Sequence, residues 1–182
     1  MLLPAKIPVL GFVAPSGTGK TTLLKEVVRL LSEAGLRVGV IKQARDDFDL
    51  DRPGKDSYKL RKAGVERLLL ASEKQSGLVI EQVEPREPEL TELLELLDLD
   101  ALDLVLVEGF RDCDFPKIEL IRQSPGTPRY PADPAIIAVA TDIEPATGLT
   151  TGLPQLDLNQ PASVAEFIRN WMQQKTGPVL SG

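Results

Sequence analysis

Apolar residues recur along this chain in two rhythms. Val9-Leu10-Gly11-Phe12-Val13 is a short continuous run of the kind that forms a buried strand. Leu23, Leu24, Val27, Val28 and Leu31 then fall on one broad face of a helix. Gly35 stands where a C′ glycine would end that helix. Leu36 to Ile41 predicts a second strand, apolar enough to be buried on both faces. Strand, helix and strand make one βαβ unit with a right-handed crossover.

The rhythm breaks between Lys42 and Pro53, a polar stretch that holds Asp46, Asp47, Asp49 and Asp51. A short helix over 56–63, capped by Asp56 or Ser57 and closed by Gly64, precedes two short strands at 65–72 and 77–83. Pro88 to Leu97 predicts an amphipathic helix with Leu90, Leu93, Leu94 and Leu97 inward and its glutamates solvated. Leu104 to Val107 predicts a buried central strand with Glu108 at its tip; Asp103 stands at the other end. Lys117 to Arg122 alternates polar and apolar residues, which predicts a half-exposed strand on an antiparallel edge. Residues 123–134, with prolines at 125, 128, 131 and 134, read as a loop. A further buried run, Ala135 to Ala140, ends in Thr141-Asp142, and Leu156 to Leu158 reads as an edge strand. Asn159 or Ser163 can cap a final helix from Val164 to about Gln174, with Phe167, Ile168 and Trp171 inward. The expectation is an α/β fold: one domain over 1–174, a mostly parallel twisted sheet with helices on both faces and an antiparallel edge, and a flexible tail at 175–182.

The junction of the first strand and helix carries the chemistry. It reads Ala14-Pro15-Ser16-Gly17-Thr18-Gly19-Lys20-Thr21-Thr22. Gly17 and Gly19 allow backbone conformations closed to other residues, so successive N–H groups and the helix N-terminus can converge on an anion. In this phosphate-binding loop, Lys20 supplies a charge for the β- and γ-phosphates and Thr21 a hydroxyl for Mg²⁺. Ser16 to Thr22 are therefore the candidate triphosphate ligands. The strict pattern has glycine where this chain has Ala14, which the loop tolerates if that residue keeps φ below zero. Glu108, an acid at the tip of a buried strand, is the candidate to hold Mg²⁺ or to orient an attacking water. The aspartates after Lys42 are either further such groups or a solvated loop.

Composition removes several functions. A net charge of −6 argues against nonspecific nucleic-acid binding and against acidic membranes. No apolar run reaches the roughly 18 residues of a membrane span, and Met1 to Lys6 lacks the layout of a signal peptide. A single cysteine, Cys113, flanked by Asp112 and Asp114, excludes an intrachain disulfide and fits a reducing cytoplasm rather than a nucleophilic role. There is no histidine, so any metal is expected to be a hard cation held by oxygen.

Taken together, these stretches resemble the molybdopterin-guanine dinucleotide biosynthesis adaptor family (MobB). The resemblance rests on Ser16 to Leu23, on Val40-Ile41-Lys42 followed by Phe48 to Ser57, and on Leu106 to Phe110 followed by Pro116 to Glu119 and Arg122. It implies a cytoplasmic, homodimeric GTP-binding protein that assists the guanylyltransferase attaching GMP to molybdopterin, and that contacts molybdopterin-bearing proteins. At most weak Mg²⁺-dependent GTP hydrolysis is implied. By position, Asp49 and Asp51 then lie in a switch-like loop with a catalytic role, and Glu108 in the acid position. Asp142 stands where related GTPases read the guanine base, although a strand-end turn also accounts for it. The histidine-rich run expected after Lys42 is replaced by Gln43-Ala44-Arg45-Asp46-Asp47. The alternative is a small-molecule kinase using ATP; a nickel-delivery GTPase would want softer ligands than this chain has.

Overall fold

In the computed structural model, β1 (Val9–Val13) is buried at every position and leads through the glycine-rich turn into α1 (Lys20–Glu33). The structure describes residues 6–44, 54–122, 132–143 and 152–175. Asp49, Asp51 and the rest of 45–53 lie outside the described residues, as do 123–131 of the proline-rich segment and the tail after Lys175. The chain divides into two compact units, residues 44–88 and the remainder.

The larger unit is built on a six-stranded sheet ordered β2-β5-β1-β6-β7-β8. Besides β1 it comprises β2 (Val38–Lys42), β5 (Leu104–Glu108), β6 (Lys117–Ile121), β7 (Ile136–Thr141) and β8 (Gln155–Asp157). Every pairing in it is parallel. Side chains alternate across the strands, and the alternation stays in phase between neighbours except at a register shift between Lys117 and Ile118 in the β6–β7 pairing. Leu10, Phe12, Leu104, Leu106, Ile118, Leu120, Ala138 and Ala140 meet α1 and α4 (Pro161–Lys175) on one face. Val9, Val105 and Val107 meet α3 (Leu90–Glu95) on the other. Helices thus cover both faces. Helix α1 ends as expected: Gly35 has φ 87°, its N–H donates to Ser32, and Leu36 N–H donates to Leu31. That is a Schellman cap.

Three expectations fail locally. Strand β6 is no antiparallel edge: it lies between β1 and β7, parallel to both, and is buried at all five positions. Its polar residues face the interior with partners. Lys117 Nζ donates to Asp133 Oδ2 (3.0 Å) and to the Arg111 carbonyl (3.2 Å), and lies 5.4 Å from the Phe115 ring centre. Antiparallel pairing occurs instead in the second unit, between strands at Arg67–Ala71 and Ser76–Ile80. Strand β2 is an edge of the six-stranded sheet, not buried on both faces, and Val40 stays 43% exposed. Finally, the capping residues are displaced. Lys55 is the N-cap residue of α2 (Asp56–Lys62), Asp56 pairs with Lys59, and α4 opens on Pro161, with Ser163 Oγ bonded back to Gln160. A proline at the first helical position gives up an N–H that had no helical partner.

The second unit carries α2, β3 (Arg67–Ala71) and β4 (Ser76–Ile80). The strands form a hairpin in which Leu69 stands opposite Leu78. Arg61 pairs with Glu81, and Leu60, Leu69, Leu70, Leu78 and Val83 are exposed.

Candidate nucleotide-binding site

The loop after β1 holds Gly17 at φ 79° and Gly19 at φ 96°, both in the left-handed region that disfavours a Cβ. Ala14 is not among the positive-φ residues, and its methyl joins the core cluster beneath α1. The departure from the strict glycine pattern is therefore accommodated. Helix α1 begins behind Gly19 with no side-chain cap and no acidic residue in its first turn. Its first N–H groups and the positive end of its dipole are thus offered to an anion. Lys20 Nζ folds back over the loop onto the carbonyls of Ala14 (3.0 Å) and Pro15 (2.9 Å). Thr18 Oγ1 donates to the Pro15 carbonyl at 2.8 Å.

Strand parity brings the other charged groups here. Each strand's α1-facing row continues one step past its apolar pair: Leu104 and Leu106 lead to Glu108, Ile118 and Leu120 to Arg122, Ala138 and Ala140 to Asp142. Val38 leads likewise to Lys42. Thr21 Oγ1 lies 3.1 Å from both carboxylate oxygens of Glu108. Lys42 Nζ donates to Thr21 Oγ1 (3.1 Å) and lies 3.3 Å from Glu108 Oε2. On the other side of the loop, Arg122 Nε donates to the Thr18 carbonyl (2.8 Å) and its Nη1 to Asp142 Oδ2 (3.0 Å). Behind Glu108, Gly109 has φ 109°, and a Cβ there would stand 2.7 Å from Gln43 Cβ. Gln43 Oε1 accepts from Phe110 N–H at 2.9 Å, which ties the ends of β2 and β5 together.

The structure brings Lys20, Thr21 and Glu108 together with Asp142 across the loop, linked through Arg122 and Thr18. Ser16 and Thr22 are exposed on the same loop and first turn. Sequence alone assigns Lys42 and Arg122 no site role. Their signal was parity, which becomes visible only when the strands at 38–42 and 117–121 are known to lie in one parallel sheet. Among the described residues no group of three or more acidic or cysteine side chains could hold a metal by itself. The Thr21 hydroxyl and Glu108 carboxylate are hard oxygen donors in contact, which suits Mg²⁺ completed by waters and phosphate oxygens.

A parallel sheet, a glycine-rich loop opening a helix, and an acid on the neighbouring strand beside that helix's first hydroxyl define a P-loop NTPase fold. The family model described as molybdopterin guanine dinucleotide synthesis protein B (MobB) matches residues 9–142, and the chain belongs to that family. A molybdopterin-guanine dinucleotide biosynthesis adapter protein of Escherichia coli (strain K12) is 42% identical over 94% of this chain and 97% of its own length. One from Haemophilus influenzae is 36% identical over 94% and 93%. A solved structure of molybdopterin-guanine biosynthesis protein B superposes with a TM-score of 0.68 at 27% identity, covering 91% of this chain and 99% of the other.

Proposed function

We propose that this chain is a GTP-binding accessory protein of molybdenum cofactor biosynthesis. It assists the guanylyltransferase that attaches GMP to molybdopterin. The observation that carries the reading is the Thr21–Glu108 contact beside the uncapped start of α1, within a chain of this family. Ser16 to Thr22 wrap the triphosphate with backbone N–H groups, and Lys20 exchanges its loop carbonyls for phosphate oxygens. Thr21 and Glu108 hold Mg²⁺, which neutralises and orients the β- and γ-phosphates when bound. Asp142 reads the guanine N1–H and 2-amino group, sharing its carboxylate with Arg122. Asp49 and Asp51 orient water or metal from the loop after β2.

Hydrolysis is slow on this reading. Efficient P-loop hydrolases use a water-positioning glutamine or its equivalent. Gln43, the glutamine beside Glu108, instead has its amide oxygen committed to Phe110 N–H. The active unit is a cytoplasmic homodimer joined through exposed leucines of the hairpin. Isothermal titration with GTP and ATP in Mg²⁺ tests the nucleotide: GTP should bind at least about tenfold more tightly, a difference of roughly 1.4 kcal/mol. Equal affinity, or phosphoryl transfer from ATP to a small acceptor, would sink the assignment.

A further inference from the structure

The two side chains given to the metal are already bridged by a cation. Lys42 Nζ sits 3.1 Å from Thr21 Oγ1 and 3.3 Å from Glu108 Oε2. Lys20, the expected cation of the loop, is engaged elsewhere, on the Ala14 and Pro15 carbonyls. Lys42 is held in place by sheet register: it stands directly opposite Glu108 in the β2–β5 pairing. The two partners differ in their access to water. The Glu108 side chain is 10% exposed, so an unneutralised carboxylate there would be costly, whereas the Lys42 side chain is 52% exposed. An ammonium on a four-carbon stem can leave for solvent without moving the backbone.

We propose that Lys42 is a built-in substitute for the divalent cation. Its ammonium neutralises Glu108 while nucleotide is absent and keeps metal off the bare Thr21–Glu108 pair. It yields that position when Mg²⁺ arrives with the triphosphate. A divalent ion and an ammonium repel, so holding both against one carboxylate is unfavourable and the ammonium is the one free to leave. Two protein ligands alone are also a poor site for Mg²⁺, and the phosphates supply the oxygens that tip the exchange. Metal loading is thereby tied to nucleotide loading. The inference rests on the assignment of Thr21 and Glu108 to the metal.

The test is Mn²⁺ binding followed by electron paramagnetic resonance on the full chain. It compares the nucleotide-free wild type, Lys42→Met, Lys42→Gln and Lys42→Met/Glu108→Gln, with wild type plus a non-hydrolysable GTP analogue as reference. Removing the competing charge should raise Mn²⁺ affinity of the nucleotide-free protein by about tenfold in both single variants, within the usual range of coupling between two sites. The double variant should lose that gain. Unchanged affinity in the single variants, or a gain that survives Glu108→Gln, overturns the proposal. If the wild type holds Mn²⁺ with the analogue while Lys42→Met gains nothing, only the role of Lys42 fails. If the analogue complex holds no Mn²⁺, the metal assignment fails and the proposal goes with it.

Discussion

Among the described residues, three cationic side chains stand around the loop, and each has a different attachment. Lys20 rests on loop carbonyls, Lys42 on the Thr21–Glu108 pair, and Arg122 between the Thr18 carbonyl and Asp142. Arg122 joins the loop to the end of β7. A Cβ on Gly19 would come within 3.3 Å of its Nη2, so the guanidinium lies directly against the loop backbone. Charge-assisted hydrogen bonds of this kind are worth roughly 1.5–3 kcal/mol each when well formed. If the clamp holds the loop ready for phosphate and Asp142 ready for the base, Arg122→Ala should weaken GTP binding by about tenfold without unfolding the protein. Arg122→Lys, whose single ammonium lacks the fork that reaches both acceptors, should recover only part of the loss. Titration calorimetry reads both; unchanged affinity in Arg122→Ala would make the clamp dispensable.

At the level of elements, the pairing of β2 with β5 decides whether Lys42 faces Glu108, and that register is pinned at its other end. Asp103 accepts from the Arg37 backbone N–H (2.8 Å) and from its guanidinium (2.7 and 3.2 Å), and Asp103 N–H donates to the Arg37 carbonyl. The Arg37 side chain and backbone N–H bonds lower the Asp103 carboxyl from 3.8 to about 2. A carboxylate depressed in the folded state stabilises the protein above its unfolded pKa, and that contribution disappears as pH falls through the folded value. Asp103→Asn should therefore lower the urea midpoint at neutral pH, and the gap to wild type should narrow between about pH 4 and pH 2. The pair is solvated, so salt should narrow the gap too. A gap constant with pH would assign the stability to something other than this charge.

The same elements show what the sequence could reveal. Strands β1, β5 and β7 and helices α1 and α4 stand near their expected places, because each buries an apolar row that spacing alone discloses. Strand β6 misled because alternation normally signals water on one side; here Lys117 meets Asp133, a carbonyl and a ring instead of solvent. As candidates, Lys20, Thr21 and Glu108 were legible from residue type and context. Lys42 and Arg122 were not, since a charged residue after a strand is ordinarily solvated. Its use depends on strand order, and no local stretch records that β1 lies between β5 and β6.

For the whole molecule, the phosphate chemistry lies in one unit, and most of the exposed large apolar side chains among the described residues lie in the other. The six-stranded sheet carries the loop and its cations, while residues 44–88 carry a two-stranded hairpin whose Leu69 is 66% and Leu78 43% exposed. These two leucines are direct partners across the hairpin, so they form one apolar patch on a single face. A two-stranded ribbon is marginal in water unless its face is covered. Each leucine left in water forgoes roughly 25 cal/mol for every Å² of apolar surface it could bury. A second copy of the chain would cover the patch with itself, as twofold symmetry permits. Leu69→Lys/Leu78→Lys places two like charges opposite one another on that face, which an isologous contact would multiply. Sedimentation equilibrium should then find wild type as a dimer and the variant as a monomer. GTP affinity per chain should be unchanged, because neither residue belongs to the unit that holds the loop. A variant that remains dimeric would move the interface away from the hairpin, and a monomeric wild type would remove the homodimer from the proposed function altogether.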